Sequence, residues 1–160
     1  MSPQIHGGGH ESGYRSGTLN TPAIVGFGEA ARLAGQRFEE DYSNAQALRT
    51  QIEEVLKGFP NCQVHAESAM KIPNIISFFF EGIDAEALLI QLRDRLALSV
   101  GSACTSRQVL PSHVIMAMCG EEDIAFSTLR LSIGRFTEKD VPGKIQETFD
   151  FALREVTKYI

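Results

Sequence analysis

Ser127-Thr128-Leu129-Arg130-Leu131-Ser132-Ile133 alternates strictly: Leu129, Leu131 and Ile133 fall on one face, Thr128, Arg130 and Ser132 on the other. A period of two with one apolar face marks a strand packed on one side and wet on the other. Downstream, over 138–159, the period becomes helical, with Val141, Ile145, Phe149, Ala152, Leu153 and Val156 forming the apolar stripe. Upstream, Ser112 caps a small helix over 113–118 that Gly120 ends. Strand-like runs over 63–67 and 74–81 come earlier, the second rich in Ile and Phe. Asp84 caps a helix reaching about residue 96, with Ala85, Leu88, Leu89 and Leu92 on one face, and 96–100 reads as a short strand. Near the N-terminus, Thr21 is placed as a cap and Pro22 at the first helical position of a long helix over 23–57. Its apolar positions include Val25, Leu33, Phe38, Leu48, Ile52 and Leu56, and Gly58 and Pro60 close it. This order predicts an α+β fold: a small, mainly antiparallel sheet covered by a long N-terminal helix and a C-terminal helix.

The 160 residues are enough for one domain with a core of its own. A net charge of −5, with no local Lys/Arg cluster, speaks against a nucleic-acid surface. No apolar stretch reaches the length of a membrane span, and the Gly/His-rich start has no apolar signal region. Three cysteines without close pairing suit a reducing compartment better than a disulfide framework. The expectation is a soluble, cytoplasmic domain that binds neither nucleic acid nor membrane.

Cys104 stands out by its neighbours, Gly101-Ser102-Ala103-Cys104-Thr105-Ser106, just after Leu96-Ala97-Leu98-Ser99-Val100. Small and hydroxylated residues interrupt regular structure, so the thiol is either inert in a loop or carried toward a partner as a nucleophile. Arg130, central in its strand, is either a solvated surface arginine or a rigidly held guanidinium fork for a carboxylate. The loop His10-Glu11-Ser12-Gly13-Tyr14-Arg15-Ser16-Gly17-Thr18 offers backbone N–H groups and hydroxyls beside a helix start, as either an ordinary glycine loop or a phosphate nest. His6, His10, His65 and His113 are scattered without metal-ligand spacing, so no metal site is expected. Cys62 and Cys119 read as packing thiols.

Four separated stretches together resemble the C-terminal part of a cysteine desulfurase of the iron–sulfur-cluster type. They are His6-Gly7-Gly8-Gly9-His10-Glu11; Arg15-Ser16-Gly17-Thr18; the Cys104 segment with Pro111-Ser112-His113; and Ser132-Ile133-Gly134-Arg135-Phe136-Thr137. The resemblance covers essentially the whole chain. It implies the small C-terminal domain of a fold type I, pyridoxal-phosphate-dependent transferase of the class V aminotransferase group, enzymes that are normally homodimers. Residues 1–20 would be the glycine-rich loop that crosses to the cofactor site, and 21–160 the small domain carrying the Cys104 loop.

By the same resemblance, Cys104 takes sulfur from cofactor-bound L-cysteine, leaving L-alanine, and carries it as a persulfide. An iron–sulfur scaffold or another sulfur acceptor protein then receives it. Arg130 matches the arginine that holds the substrate carboxylate, and Thr18 the residue that reaches the cofactor phosphate of the other subunit. One departure is large. The family's Schiff-base lysine stands in a Ser-x-His-Lys context, and none of Lys57, Lys71, Lys139, Lys144 and Lys158 does. The covalent link to the cofactor therefore requires a large cofactor-binding domain or a complementary desulfurase half, and the chain is not expected to be catalytic by itself. An alternative is a stand-alone persulfide carrier or scaffold-binding module. Apolar surface that the large domain would cover is expected to make the chain self-associate.

Overall fold

A computed structural model describes residues 2–100 and 110–157 of the chain. It forms two compact units, residues 1–39 and 40–160, with the boundary inside one long helix, α1 (Thr21–Lys57).

In the first unit a short 3-10 turn, Glu11–Gly13, follows the glycine-rich segment. An isolated parallel bridge joins Ile5 to Arg15, and Ser16 is buried, its Oγ accepting from the Gly9 amide at 3.2 Å. The cap of α1 is Asn20 rather than Thr21: Asn20 Oδ1 accepts from the Ala23 N–H at 3.2 Å, which makes Thr21 the first helical residue. The apolar side chains Ile24, Val25, Phe27 and Phe38 of this half of the helix are exposed.

The second unit contains the core. After α1 come β1 (Cys62–Val64), β2 (Ile75–Phe80), α2 (Ala85–Leu92), β3 (Ser99–Val100), α3 (His113–Cys119), α4 (Glu122–Ser127), β4 (Thr128–Ser132) and α5 (Val141–Thr157). The four strands form one sheet in the order β1-β2-β4-β3, antiparallel at every pairing. Its inner face presents Ile76, Phe78, Phe80, Leu129 and Leu131 to Ile52 and Leu56 of α1, Leu88 and Leu92 of α2, and Ile145, Phe149 and Ala152 of α5. An aromatic cluster centres on Phe149, whose ring lies 5.4 Å from Phe80 and 5.8 Å from Phe78, centroid to centroid. Such tilted and edge-on pairs add roughly 0.5–1.5 kcal/mol each beyond area burial. The α+β expectation holds, and the stripe of α5 packs as its period demands, with Ile145, Phe149 and Ala152 fully buried.

The structure differs from the sequence pattern in other places too: α2 ends at Leu92 and β3 is only Ser99–Val100. β1 stops at Val64, because Ala66 takes the left-handed region (φ 52°) and turns the chain. Helix α4 is an unexpected element; it runs directly into β4. Because α4 covers that end of the outer face, Thr128 is buried instead of wet, its hydroxyl donating to the Ile124 carbonyl at 2.6 Å. Only from Ala45 onward do the apolar positions of α1 reach the core.

Candidate active site

Strand alternation carries one row of polar side chains across the outer face of the sheet. Ser77 of β2 stands opposite Arg130 of β4, and Arg130 stands opposite Ser99 of β3. His65, just past β1, joins the same row, its amide donating to the Ser77 carbonyl at 2.8 Å. The row therefore reads His65, Ser77, Arg130, Ser99. Since Leu129 and Leu131 must face the core, Arg130 must face outward, and it is exposed. Among the described residues it has no hydrogen-bond or ion-pair partner, which leaves its fork open to a ligand.

His65, Ser77 and Arg130 of this row line a cleft of about 620 Å³. Ile72, Ile75, Val114 and Met118 make apolar walls, and Arg49, Lys71 and His113 also line it. Arg49 and Lys71 are already committed. Arg49 is buried and donates to Glu53 Oε1 at 2.7 Å and to the Ile72 carbonyl at 2.5 Å, and Lys71 reaches the same Glu53 oxygen at 3.2 Å. Burial acts to raise the Glu53 pKa, but the hydrogen bonds and charges of Arg49 and Lys71 outweigh it and hold the carboxyl below its ordinary value. This triad ties the 66–73 segment, one wall of the cleft, to α1.

His65 is held in place from two sides. Its ring is stacked on Phe79 at 5.1 Å between centroids with a 31° tilt, and its Nε2 lies 3.0 Å from Thr128 Oγ1. Burial pushes its pKa below the ordinary histidine value. The sequence pattern gave no role to His65 or Ser77. Their signal was present only in combination with the strand register, which makes them neighbours of Arg130.

Cys104 lies outside the described residues, as does all of 101–109. The two residues that flank this segment, Val100 and Leu110, both line the cleft. Thr18 belongs to the first unit, where it is exposed in an irregular segment; beside it Arg15 Nη1 donates to the Gly17 carbonyl at 2.9 Å. Cys62 packs against the core and burial pushes its thiol up to about 12, while Cys119 Sγ donates to the Ile115 carbonyl at 3.1 Å. Arg135, in the fourth motif, forks onto Asp41 of α1, with Nε 3.0 and 2.9 Å from the two carboxylate oxygens. It joins α1 to the turn after β4.

Residues 4–141 match the family described as aminotransferase class-V. The chain belongs to that family. It is 39% identical over 156 residues to the cysteine desulfurase IscS of Vibrio vulnificus, covering 98% of this chain and 37% of that relative. The IscS of Vibrio cholerae is 41% identical over 137 residues, 86% of this chain and 34% of the relative. Among solved structures, a NifS-like protein from Rickettsia africae superposes with a TM-score of 0.82 at 29% identity, covering 96% of this chain and 40% of that one. DndA from Streptomyces lividans matches at a TM-score of 0.60 and 33% identity, over 82% of this chain and 36% of its own. The chain thus spans about two fifths of the length of the relatives it matches.

Class-V aminotransferases depend on pyridoxal phosphate. The described cleft of this chain does not hold that group by itself. A covalent site needs a free amine, and Lys71, the one lysine on the cleft among the described residues, is bound to Glu53. Lys57 and Lys144 are paired with Glu67 and Glu138. Nor, among the described residues, does a carboxylate line the cleft to pair with a pyridinium nitrogen.

Proposed function

We propose that this chain supplies the substrate-gripping and sulfur-accepting side of a cysteine desulfurase. The overall reaction balances as L-cysteine plus the Cys104 thiol giving L-alanine plus a Cys104 persulfide. The carbon–sulfur bond of the substrate breaks, a sulfur–sulfur bond forms, and the carbon gains hydrogen. Arg130 holds the substrate carboxylate, Cys104 is the nucleophile, and Thr18 reaches the phosphate of the cofactor. The persulfide then passes to an iron–sulfur scaffold or another sulfur acceptor. Residues 1–20 act as the crossing loop and 21–160 as the small domain, in a cytoplasmic homodimer. The exposed Ile24, Val25 and Phe27 are consistent with such association. No helix among the described residues is long and apolar enough to cross a membrane.

The observation that carries this reading is the outward Arg130, without a partner among the described residues, lining a cleft whose lining includes both flanks of the Cys104 segment. Because Lys71, the one lysine lining the cleft among the described residues, is committed to Glu53, covalent cofactor attachment falls to another polypeptide or domain.

The test is persulfide formation on Cys104 from L-cysteine and pyridoxal phosphate, with and without the lysine-bearing part of the Vibrio vulnificus relative. The 160-residue chain alone should be silent, and complementation should produce a persulfide that Cys104→Ser abolishes. Arg130→Ala should lower kcat/KM by about 10- to 150-fold, the worth of a charge-assisted hydrogen bond. Turnover by the chain alone, or persulfide formation in Cys104→Ser, would overturn the proposal.

A further inference from the structure

Of the groups in the polar row that the proposed reaction does not use, His65 is the one whose hydrogen bonding is fixed. Thr128 has a single hydroxyl proton, and it is spent on the Ile124 carbonyl at 2.6 Å. The 3.0 Å contact between Thr128 Oγ1 and His65 Nε2 must then be donated by the ring. A neutral imidazole with its proton on Nε2 carries its lone pair on Nδ1. Among the described residues Nδ1 has no partner, and the ring lines the cleft. Phe79, stacked beneath it, fixes the plane in which that lone pair points.

Besides His65 and Thr128, the side chains of the described lining that can accept are the hydroxyls of Ser77 and Ser112, the latter already accepting from the Ile115 amide, and the His113 ring. Arg130, Arg49 and Lys71 are donors only, and Glu53 is taken up by two of them. His65 and Arg130 are separated along the row by one strand, that of Ser77, so their backbones stand about 10 Å apart. Two side chains rising from one face over that span leave room for a small zwitterion between them. Arg130, Arg49, Lys71 and His113 face the same cleft, and the burial of the ring favours neutral His65.

We propose that His65 is a substrate-binding residue, its Nδ1 accepting a hydrogen bond from the ammonium or thiol of the amino acid whose carboxylate Arg130 holds. This rests on the carboxylate role proposed above for Arg130. It makes the cleft selective for an amino acid over a plain carboxylate of the same size, through an acceptor on one strand and a cationic fork two strands away.

Two measurements on the 160-residue chain test it. Long-range proton–nitrogen spectra of histidine-labelled protein should show His65 as the Nε2–H tautomer, and Thr128→Val should weaken that bias. An Nδ1–H tautomer in the wild-type chain would overturn the proposal without any variant. Titration with L-cysteine, L-alanine, 3-mercaptopropionate and propionate should then shift His65 Nδ1 for every ligand carrying a donor and not for propionate. L-Cysteine should bind about tenfold tighter than propionate, the worth of one hydrogen bond. His65→Phe, which keeps the stacking on Phe79, should erase that ratio and leave propionate binding within about twofold. If the ratio survives His65→Phe while Arg130→Ala abolishes binding, the His65 role is wrong and the carboxylate role stands. If Arg130→Ala changes nothing, or no carboxylate perturbs the spectrum, the carboxylate role fails and the His65 role falls with it.

Discussion

Replacing Glu53 by glutamine leaves two cations without their shared counter-charge at the edge of the cleft. Glu53 Oε1 accepts from Arg49 Nε at 2.7 Å and from Lys71 Nζ at 3.2 Å. With an effective dielectric constant of about 20, each contact contributes roughly 5–6 kcal/mol of Coulomb attraction, most of it offset by desolvation. Arg49 retains only 4% of its side-chain exposure, so it cannot turn to water when the charge is lost. Removing one partner of a fully buried pair costs about 3–5 kcal/mol. Lys71 is 19% exposed and Glu53 16%, and glutamine keeps a neutral acceptor, so a smaller loss of about 2–3 kcal/mol is expected for Glu53→Gln. That corresponds to a fall in Tm of roughly 4–12 °C for a domain of this size. Urea unfolding followed by far-ultraviolet circular dichroism measures it directly. The charge argument also requires the cost to shrink when Arg49→Met is already present, and a double-mutant cycle tests that coupling. A loss under about 0.5 kcal/mol, or strict additivity with Arg49→Met, would refute the reasoning.

Two further outcomes follow from the buried titratable groups. His65 has a folded pKa below its unfolded value, so the unfolded chain takes up the proton first as pH falls. Its contribution to stability is full above about pH 6.5 and is lost as pH drops from there through the lower folded value. Denaturant midpoints measured across that window should decline in the wild-type chain and decline less in His65→Phe; parallel curves would show that His65 is not the group responsible. Cys62, pushed up to about 12 by burial, should resist iodoacetamide in the native chain at pH 8 and react once urea unfolds it. Prompt native-state alkylation at Cys62, located by peptide mass, would contradict the packing role assigned to it.

The outward placement of Arg130 was legible in the sequence because it depends on local alternation. Once Leu129 and Leu131 are committed to the core, the residue between them has one face left. The same holds for α5, whose stripe packs where its period puts it, and for Asp84 and Ser112, whose side chains cap α2 and α3 by accepting from the Ala87 and Ile115 amides. Thr128 was misplaced because its burial is decided by α4, a six-residue element too short to show a period. Asn20 displaced Thr21 as the cap because either residue type fills that role, and the choice is settled by which oxygen reaches the Ala23 amide.

The sequence by itself determined the order of the elements other than α4, most of the apolar faces, the outward placement of Arg130 and the four motifs that mark the family. These are properties of neighbouring residues and of their spacing. Only the tertiary structure decided what stands beside Arg130, because strand register joins residues far apart in the chain: Ser77 across β2, His65 one strand further, and Thr128 fixing the imidazole from 63 positions away. The same is true of Arg49 and Lys71, which look like free cations along the chain and are made unavailable by one shared carboxylate. Pattern and period carry information over a few residues. A site is assembled by packing, which selects partners by distance in space.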